Sequence, residues 1–385
     1  MELLREQSAL FSLPADIHYL NGAFMSPQLR SVTAAGKQSV ASKEQPYRIQ
    51  VDDFFAGPAA IRQLFSQLVN NPDPERIALI PSVSYGMANV TRNINLKNRE
   101  VVLAGEQFPS NVYPWLSAAQ RQGGKVSIIA PPDDFANRGK RWNENLLDAI
   151  TSRTAVVAIS QVHWADGTRF DLEALRSRTR EVGALLVIDG TQSLGAMPFD
   201  IQQIQPDALI AAGYKWLLGP YGLGVAYYGE YFDDGVPVEE NWINRLHSED
   251  FAGLVAYEEA YQPGAQRYAV GEHSSFVLVP MLQVALQQLV DWQPQRIQDY
   301  CRQISLAAIT QIQTAGYWVE AEDWRASHLF GIRHTHMPLD KIKQALTDRQ
   351  VYVSYRGSAI RVSPHVYNTA ADMQVLAEVL VDCVS

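Results

Sequence analysis

A lysine and an aspartate, each at the downstream end of an apolar run, are the residues best placed to do chemistry in this chain. Asp189 closes the run in Ala-Leu-Leu-Val-Ile-Asp-Gly-Thr-Gln (184–192), and Lys215 that in Asp-Ala-Leu-Ile-Ala-Ala-Gly-Tyr-Lys-Trp (207–216). Apolar runs that stop at Asp-Gly or Gly-Tyr-Lys read as buried strands ending in a cleft. An amine beside a carboxylate there suits pyridoxal phosphate. The amine forms a Schiff base with the aldehyde, and the carboxylate keeps the pyridinium nitrogen protonated so that the ring accepts electrons. Burial also favours the neutral, nucleophilic form of the amine.

The elements that must position this pair follow from the apolar pattern. Short apolar runs at 76–80, 101–104, 126–130, 155–160, 184–188, 208–211 and 224–228 alternate with helix-length amphipathic segments. One of these, 171–182, opens on an acidic cap and stops at Gly183. The alternation predicts an α/β fold with a mostly parallel sheet between helices, whose ligands bind at the carboxyl ends of the strands. After about residue 265 the pattern changes. A long helix at 280–315, a strand at 329–333, a helix at 339–350, strands at 351–355 and 359–362 and a last helix from Ala370 predict a small α+β domain. The expected division is a large domain at 16–265 and a small one at 266–385 together with 1–15.

Composition narrows the classes. With 385 residues, 47% hydrophobic and 19% charged, the chain is long enough to bury a large core. A formal net charge of −9 argues against nucleic acid as a partner. No apolar stretch approaches the ~18 residues of a membrane span, and the acid-bearing N-terminus lacks the apolar core of a secretory signal. Cys301 and Cys383 stand far apart with no metal-ligand spacing, so no metal is expected and a reducing cytoplasm is. Neither a Gly-x-Gly-x-x-Gly nor a Gly-x-x-x-x-Gly-Lys-Ser/Thr loop supports a nucleotide-binding alternative.

Several further motifs occur in a definite order: Tyr19-Leu-Asn-Gly-Ala23, Pro81-Ser-Val-Ser-Tyr-Gly-Met-Ala-Asn89, Glu106-Gln-Phe-Pro-Ser-Asn-Val-Tyr-Pro-Trp115, Ser160-Gln-Val-His-Trp-Ala-Asp-Gly-Thr168, Gly213-Tyr-Lys-Trp-Leu-Leu-Gly-Pro-Tyr-Gly-Leu-Gly224 and Ile360-Arg-Val-Ser-Pro-His-Val-Tyr-Asn-Thr369. Together they resemble the class V aminotransferase family of fold-type I pyridoxal phosphate enzymes, which includes cysteine desulfurases, kynureninase and isopenicillin-N-epimerase-like proteins. The resemblance spans nearly the whole chain.

The resemblance implies the site. Lys215 is the Schiff-base lysine, Asp189 the pyridinium partner, and Gln192 the donor to the cofactor's phenolic oxygen. Ser84 and Tyr85 open the helix at the phosphate, although a plain N-cap by Ser82 or Ser84 explains the same motif. Tyr214 reaches the phosphate where many relatives carry His. Ala212 stands where many carry a phosphate-binding Ser, so His273 or Ser274 is expected to compensate from a loop that in relatives reaches the neighbouring subunit. That implies a homodimer with the active site at the interface. Phe108, where desulfurases carry His, stacks on the ring without shuttling protons. Trp164 replaces a frequent Asn. His163 is either a substrate-side group or a satisfied buried histidine. Arg361 grips the substrate α-carboxylate, with Arg356 as second candidate, while Asn21 and Gly22 line the pocket.

The implied reaction starts from an amino acid displacing Lys215 from the aldimine, after which the freed lysine removes the Cα proton. An aminotransferase acting on a small amino acid and a keto acid is the leading expectation. An epimerase or a β-eliminating lyase of the selenocysteine-lyase or kynureninase kind is the alternative, and a non-catalytic sensor is a rival from another class. The loop before Arg361 reads Tyr-Arg-Gly-Ser-Ala-Ile (355–360) with no cysteine, which argues against a persulfide-forming desulfurase.

Overall fold

The computed structural model describes residues 4–334 and 339–384. The first three residues of the N-terminus read above for a signal lie outside that range. The strands are β1 (His18–Tyr19), β2 (Ile77–Ile80), β3 (Glu100–Ala104), β4 (Lys125–Ile129), β5 (Thr154–Ser160), β6 (Leu185–Asp189), β7 (Ala208–Ala212), β8 (Gly224–Tyr228), β9 (Trp318–Val319), β10 (Phe330–Arg333), β11 (Val351–Tyr352), β12 (Ser354–Arg356) and β13 (Ala359–Val362). The α-helices are α1 (Arg30–Ser42), α2 (Ala56–Leu68), α3 (Val83–Arg92), α4 (Tyr113–Gln122), α5 (Arg138–Ala149), α6 (Leu172–Val182), α7 (Ile201–Ile204), α8 (Leu278–Trp292), α9 (Pro294–Thr314), α10 (Leu339–Asp348) and α11 (Ala370–Val384).

Among the described residues, seven strands form one sheet in the order β2-β8-β7-β6-β5-β3-β4. β8 runs antiparallel to both its neighbours, and the other pairings are parallel. The seven expected strands are all present, with ends displaced by at most one residue and β8 as expected. The central strands are buried on both faces, which is why they read as continuous apolar runs instead of alternating ones. Two apolar clusters cover the two faces, one including α2, α6 and α8 and the other α3 and α4. The fold is that of an α/β enzyme with its sheet sandwiched between helices.

Register then builds the site. Ser160 pairs with Asp189, and Asp189 pairs with Ile210 on the strand leading to Lys215. Three adjacent strands therefore end at one level and deliver their last side chains to the same edge.

The second sheet has the order β12-β13-β10-β9 and is antiparallel. In this half of the chain the structure differs from expectation at four points. The helix read at 280–315 is two helices, because Gln293 turns to φ 64° and Pro294 starts α9 without an N–H to continue α8. The strand read at 351–355 divides at Val353: β11 pairs in parallel with β1, while β12 joins the small sheet. The two-residue β9 was too short to carry a periodic signal. The helix expected to reach Gln350 ends at Asp348.

Candidate active site

Lys215 and Asp189 share one cavity of about 240 Å³ at the carboxyl edge of the large sheet. Both are buried. Burial lowers the Lys215 amine to about 8, helped by Arg361 and Arg356 and opposed by Asp189. Burial raises the Asp189 carboxyl, against a hydrogen bond from the Thr191 amide and the charge of Lys215. Among the described residues, no carboxylate lies within ion-pair distance of the Lys215 amine. A buried amine and a buried carboxylate thus face one cavity without an ion pair between them, as an aldehyde for the amine and a ring pyridinium for the carboxylate would require.

A second feature fits the phosphate. α3 begins at the cavity wall, and the Ser82 hydroxyl caps it by accepting from the Tyr85 amide at 3.2 Å. Ser82 and Ser84 both line the cavity, their hydroxyls 3.0 Å apart. An anion there meets the helix N-terminus and two hydroxyls. Tyr85 sends its side chain elsewhere, its hydroxyl donating to Glu239 at 3.3 Å, so its phenol is not on this wall. Tyr214 is on the wall, its ring 4.6 Å from that of Tyr221. Ala212 lies opposite the helix start, and its amide donates to the Thr191 hydroxyl. His273 and Ser274 are buried off the cavity: the His273 ring turns to the Val270 carbonyl, and burial depresses it to about 4.

The remaining residues divide similarly. Phe108 lines the cavity with the Lys215 amine 5.4 Å from its ring centroid, and meets Trp164 edge-on. Trp164 also lines it and is anchored by donating to the Glu106 carbonyl. His163 does not reach the cavity. Its Nε2 faces the Gly105 and Glu106 carbonyls and its Nδ1 faces Asp166, behind the loop that carries Phe108. Of its two readings, the satisfied buried histidine matches this placement. Gln192 is on the wall, its Oε1 accepting from the Trp216 indole and its Nε2 donating to the Ala23 carbonyl. Because an indole only donates, the Gln192 amide is fixed with its second N–H free for an acceptor.

Arg361 is fully buried, donates to the Trp164 carbonyl at 2.8 Å and to the Ser354 hydroxyl at 3.3 Å, and leaves Nε unpartnered. Asn21 accepts from that same Ser354 hydroxyl. Gly22 packs where a Cβ would come within 2.9 Å of the Tyr367 hydroxyl and 3.2 Å of the Trp216 ring, so only glycine lets the N-terminal segment approach. Arg356 lies with its guanidinium 5.4 Å from the Trp164 centroid. The reading of the sequence missed Ser110, Ser160, Thr191 and Tyr221 on the wall. Thr191 and Ser160 stood inside motifs already singled out; Tyr221 lies in a glycine-rich loop whose path no local pattern reveals.

Fold and cavity together define a pyridoxal-phosphate enzyme of fold type I. The sequence model described as Aminotransferase class-V matches residues 51–376, and the chain belongs to that family. It is 25% identical over 327 residues to the uncharacterized aminotransferase YcbU of Bacillus subtilis (strain 168), covering 81% of this chain and 80% of that protein. It is 25% identical over 374 residues to a kynureninase of Burkholderia mallei (strain SAVP1), covering 92% and 84%. An apo cysteine desulfurase from Thermococcus onnurineus NA1 superposes with a TM-score of 0.82 at 18% identity, covering 100% of this chain and 99% of that one.

Proposed function

We propose that this enzyme transaminates a small amino acid. The observation that carries the reading is the composition of the cavity wall: among the described residues it holds one amine, Lys215, and no histidine or cysteine. An epimerase needs a second proton carrier, for which the wall offers the phenols of Tyr214 and Tyr221, and burial raises the Tyr214 phenol away from the ionised form a base requires. A persulfide-forming desulfurase needs a thiol. Cys301 and Cys383 are buried in α9 and α11, and burial pushes both thiols up, away from reactivity.

When bound, pyridoxal phosphate supplies the electron sink that makes a Cα proton removable. Lys215 would hold its aldehyde, Asp189 its ring nitrogen, Gln192 its phenolic oxygen, and the start of α3 its phosphate, while Phe108 would stack on the ring. Arg361 takes the substrate α-carboxylate and so sets the Cα–H bond toward Lys215. Burial holds the Lys215 amine at about 8, so it can act as a base close to neutral pH; transamination would need it to carry the proton from Cα to the cofactor carbon two bonds away. One water would release the keto acid while the amino group remained with the cofactor, and a second keto acid would reverse the exchange.

We further propose a homodimer, which the exposure of Tyr221 (70%) on the cavity wall and of Phe24 (54%) supports, and a cytoplasmic location, for which the support is the two unpaired cysteines. The test of the reaction is a single turnover. Cofactor-loaded protein mixed with a panel of small amino acids should yield one equivalent of keto acid and keep the amino group until an acceptor keto acid is added. Inverted substrate without keto acid, or release of the side chain, would replace transamination by epimerisation or elimination.

A further inference from the structure

Two guanidinium groups, not one, stand against Trp164, which lines the cavity, although neither is itself on the wall. In the hairpin of β12 and β13, Arg361 pairs directly with Ser354, and Arg356 lies two residues beyond Ser354. Side chains two apart on a strand share a face, so Arg356 and Arg361 are diagonal neighbours on one side of the hairpin. Both also lie against a single indole: the guanidinium carbons are 5.4 Å and 5.9 Å from the Trp164 centroid. Trp164 lines the cavity.

Among the described residues, no carboxylate balances these charges: neither arginine makes an ion pair. Arg356 donates to its neighbour's carbonyl, the Tyr355 oxygen, and its buried Nε has no acceptor. Arg361 has carbonyl and hydroxyl partners and an orphaned Nε of its own. Both depress the Lys215 amine, so their field reaches the reacting centre. Guanidinium does not lose its proton at neutral pH, and a like-charged diagonal pair destabilises the hairpin that holds it. An α-carboxylate satisfies Arg361 alone and leaves Arg356 half-buried, charged and without an anion.

We propose that the site accepts a dicarboxylate, with Arg361 binding the α-carboxylate and Arg356 the second one. This rests on the transaminase reading only for the assignment of the α-carboxylate to Arg361. The second carboxylate can belong to the amino donor's side chain or to the keto acid acceptor; the chemistry recognised is the same.

The test begins with ligands that cannot react. Succinate and glutarate, with propionate and butyrate as monocarboxylate controls, are titrated into the cofactor-loaded protein by calorimetry. The dicarboxylates should bind about 10- to 100-fold more tightly, the range expected for one added charge-assisted hydrogen-bonded contact. Arg356→Gln should erase that ratio, and Arg356→Lys, which keeps the charge but not the fork, should restore part of it. Aspartate and glutamate against alanine, then oxaloacetate and 2-oxoglutarate against pyruvate, assign the preference to donor or acceptor through the kcat/KM ratios. Equal binding of mono- and dicarboxylates, or an Arg356→Gln variant that weakens both classes alike, would overturn the proposal. A dicarboxylate preference in calorimetry without any keto acid produced would uphold it while removing transamination.

Discussion

At Lys215, burial and two nearby guanidinium groups act together against a positive charge. The amine must be neutral to attack an aldehyde, so the rate at which apo-protein takes up pyridoxal phosphate should climb with pH and level off above about 8. Arg361→Gln removes a depressing charge and should move that midpoint upward; Asp189→Asn removes an opposing one and should move it downward. Uptake followed by visible absorption at a series of pH values checks both, and a profile flat through about 8 would contradict the burial argument. Lys215 and Asp189 were legible in the sequence because each terminates an apolar run, and strand ends on one sheet edge are neighbours. The side chain of Tyr85 was not, because its partner is the Glu239 carboxylate, far away in sequence, and the choice between the two readings of His163 rests on the Glu106 carbonyl, which is also distant.

The elements hold these residues through a few close approaches. Gly195 follows the Asp-Gly-Thr-Gln turn at φ +97°, and a Cβ there would lie 2.2 Å from the Trp216 carbonyl, in the segment that carries Lys215. Gly195→Ala therefore combines a strained backbone with displacement of that segment. A loss of at least about 1–3 kcal/mol in urea unfolding is expected, together with weaker cofactor retention. At the other end of the cavity, Ser82→Ala removes the α3 cap and should cost about 0.5–2 kcal/mol. Equilibrium dialysis of the cofactor tells whether that helix start also holds the phosphate, since a cap alone would leave cofactor affinity unchanged. The strands of the large sheet were readable because apolar runs there are buried on both faces. The second sheet was harder: β9 and β11 are two residues each, and the break at Gln293 depends on one dihedral that Pro294 only hints at. α8, read as part of one long helix, packs on α1 and α2, whereas α9 packs on α11. We propose that break as an alternative to residue 265 for the division between the two units.

Across the whole molecule, one buried carboxylate ties the loop after β5 to α5 and to the second sheet. Asp166 accepts from Arg138 of α5 at 2.9 Å, from Arg333 of β10 at 2.9 Å and from the Thr168 hydroxyl at 2.9 Å, with His163 at 3.3 Å. Burial alone would raise its pKa, but the hydrogen bond and charge of His163 and the charges of Arg333 and Arg138 outweigh burial and hold the carboxyl well below its usual range. Since the folded pKa is the lower one, the cluster's contribution is present above the unfolded value of 3.8 and lost as pH falls through the folded value. Asp166→Asn should therefore destabilise the protein by about 3–5 kcal/mol at neutral pH, because two buried arginines lose their counter-charge. It should also flatten the decline in stability on acidification below about pH 4. Replacing the whole cluster, with Arg138→Met, Asp166→Leu and Arg333→Met together, removes the charges along with their desolvation cost and should recover most of that loss. Urea midpoints for the single and triple variants, measured across the acid range, separate a stabilising ion cluster from one that only fixes the geometry between sheets. A single variant as stable as the parent at neutral pH would show that Asp166 holds nothing together. A triple variant that stays folded but loses activity would show that the cluster, through His163 and the loop bearing Phe108, serves to position the cavity wall.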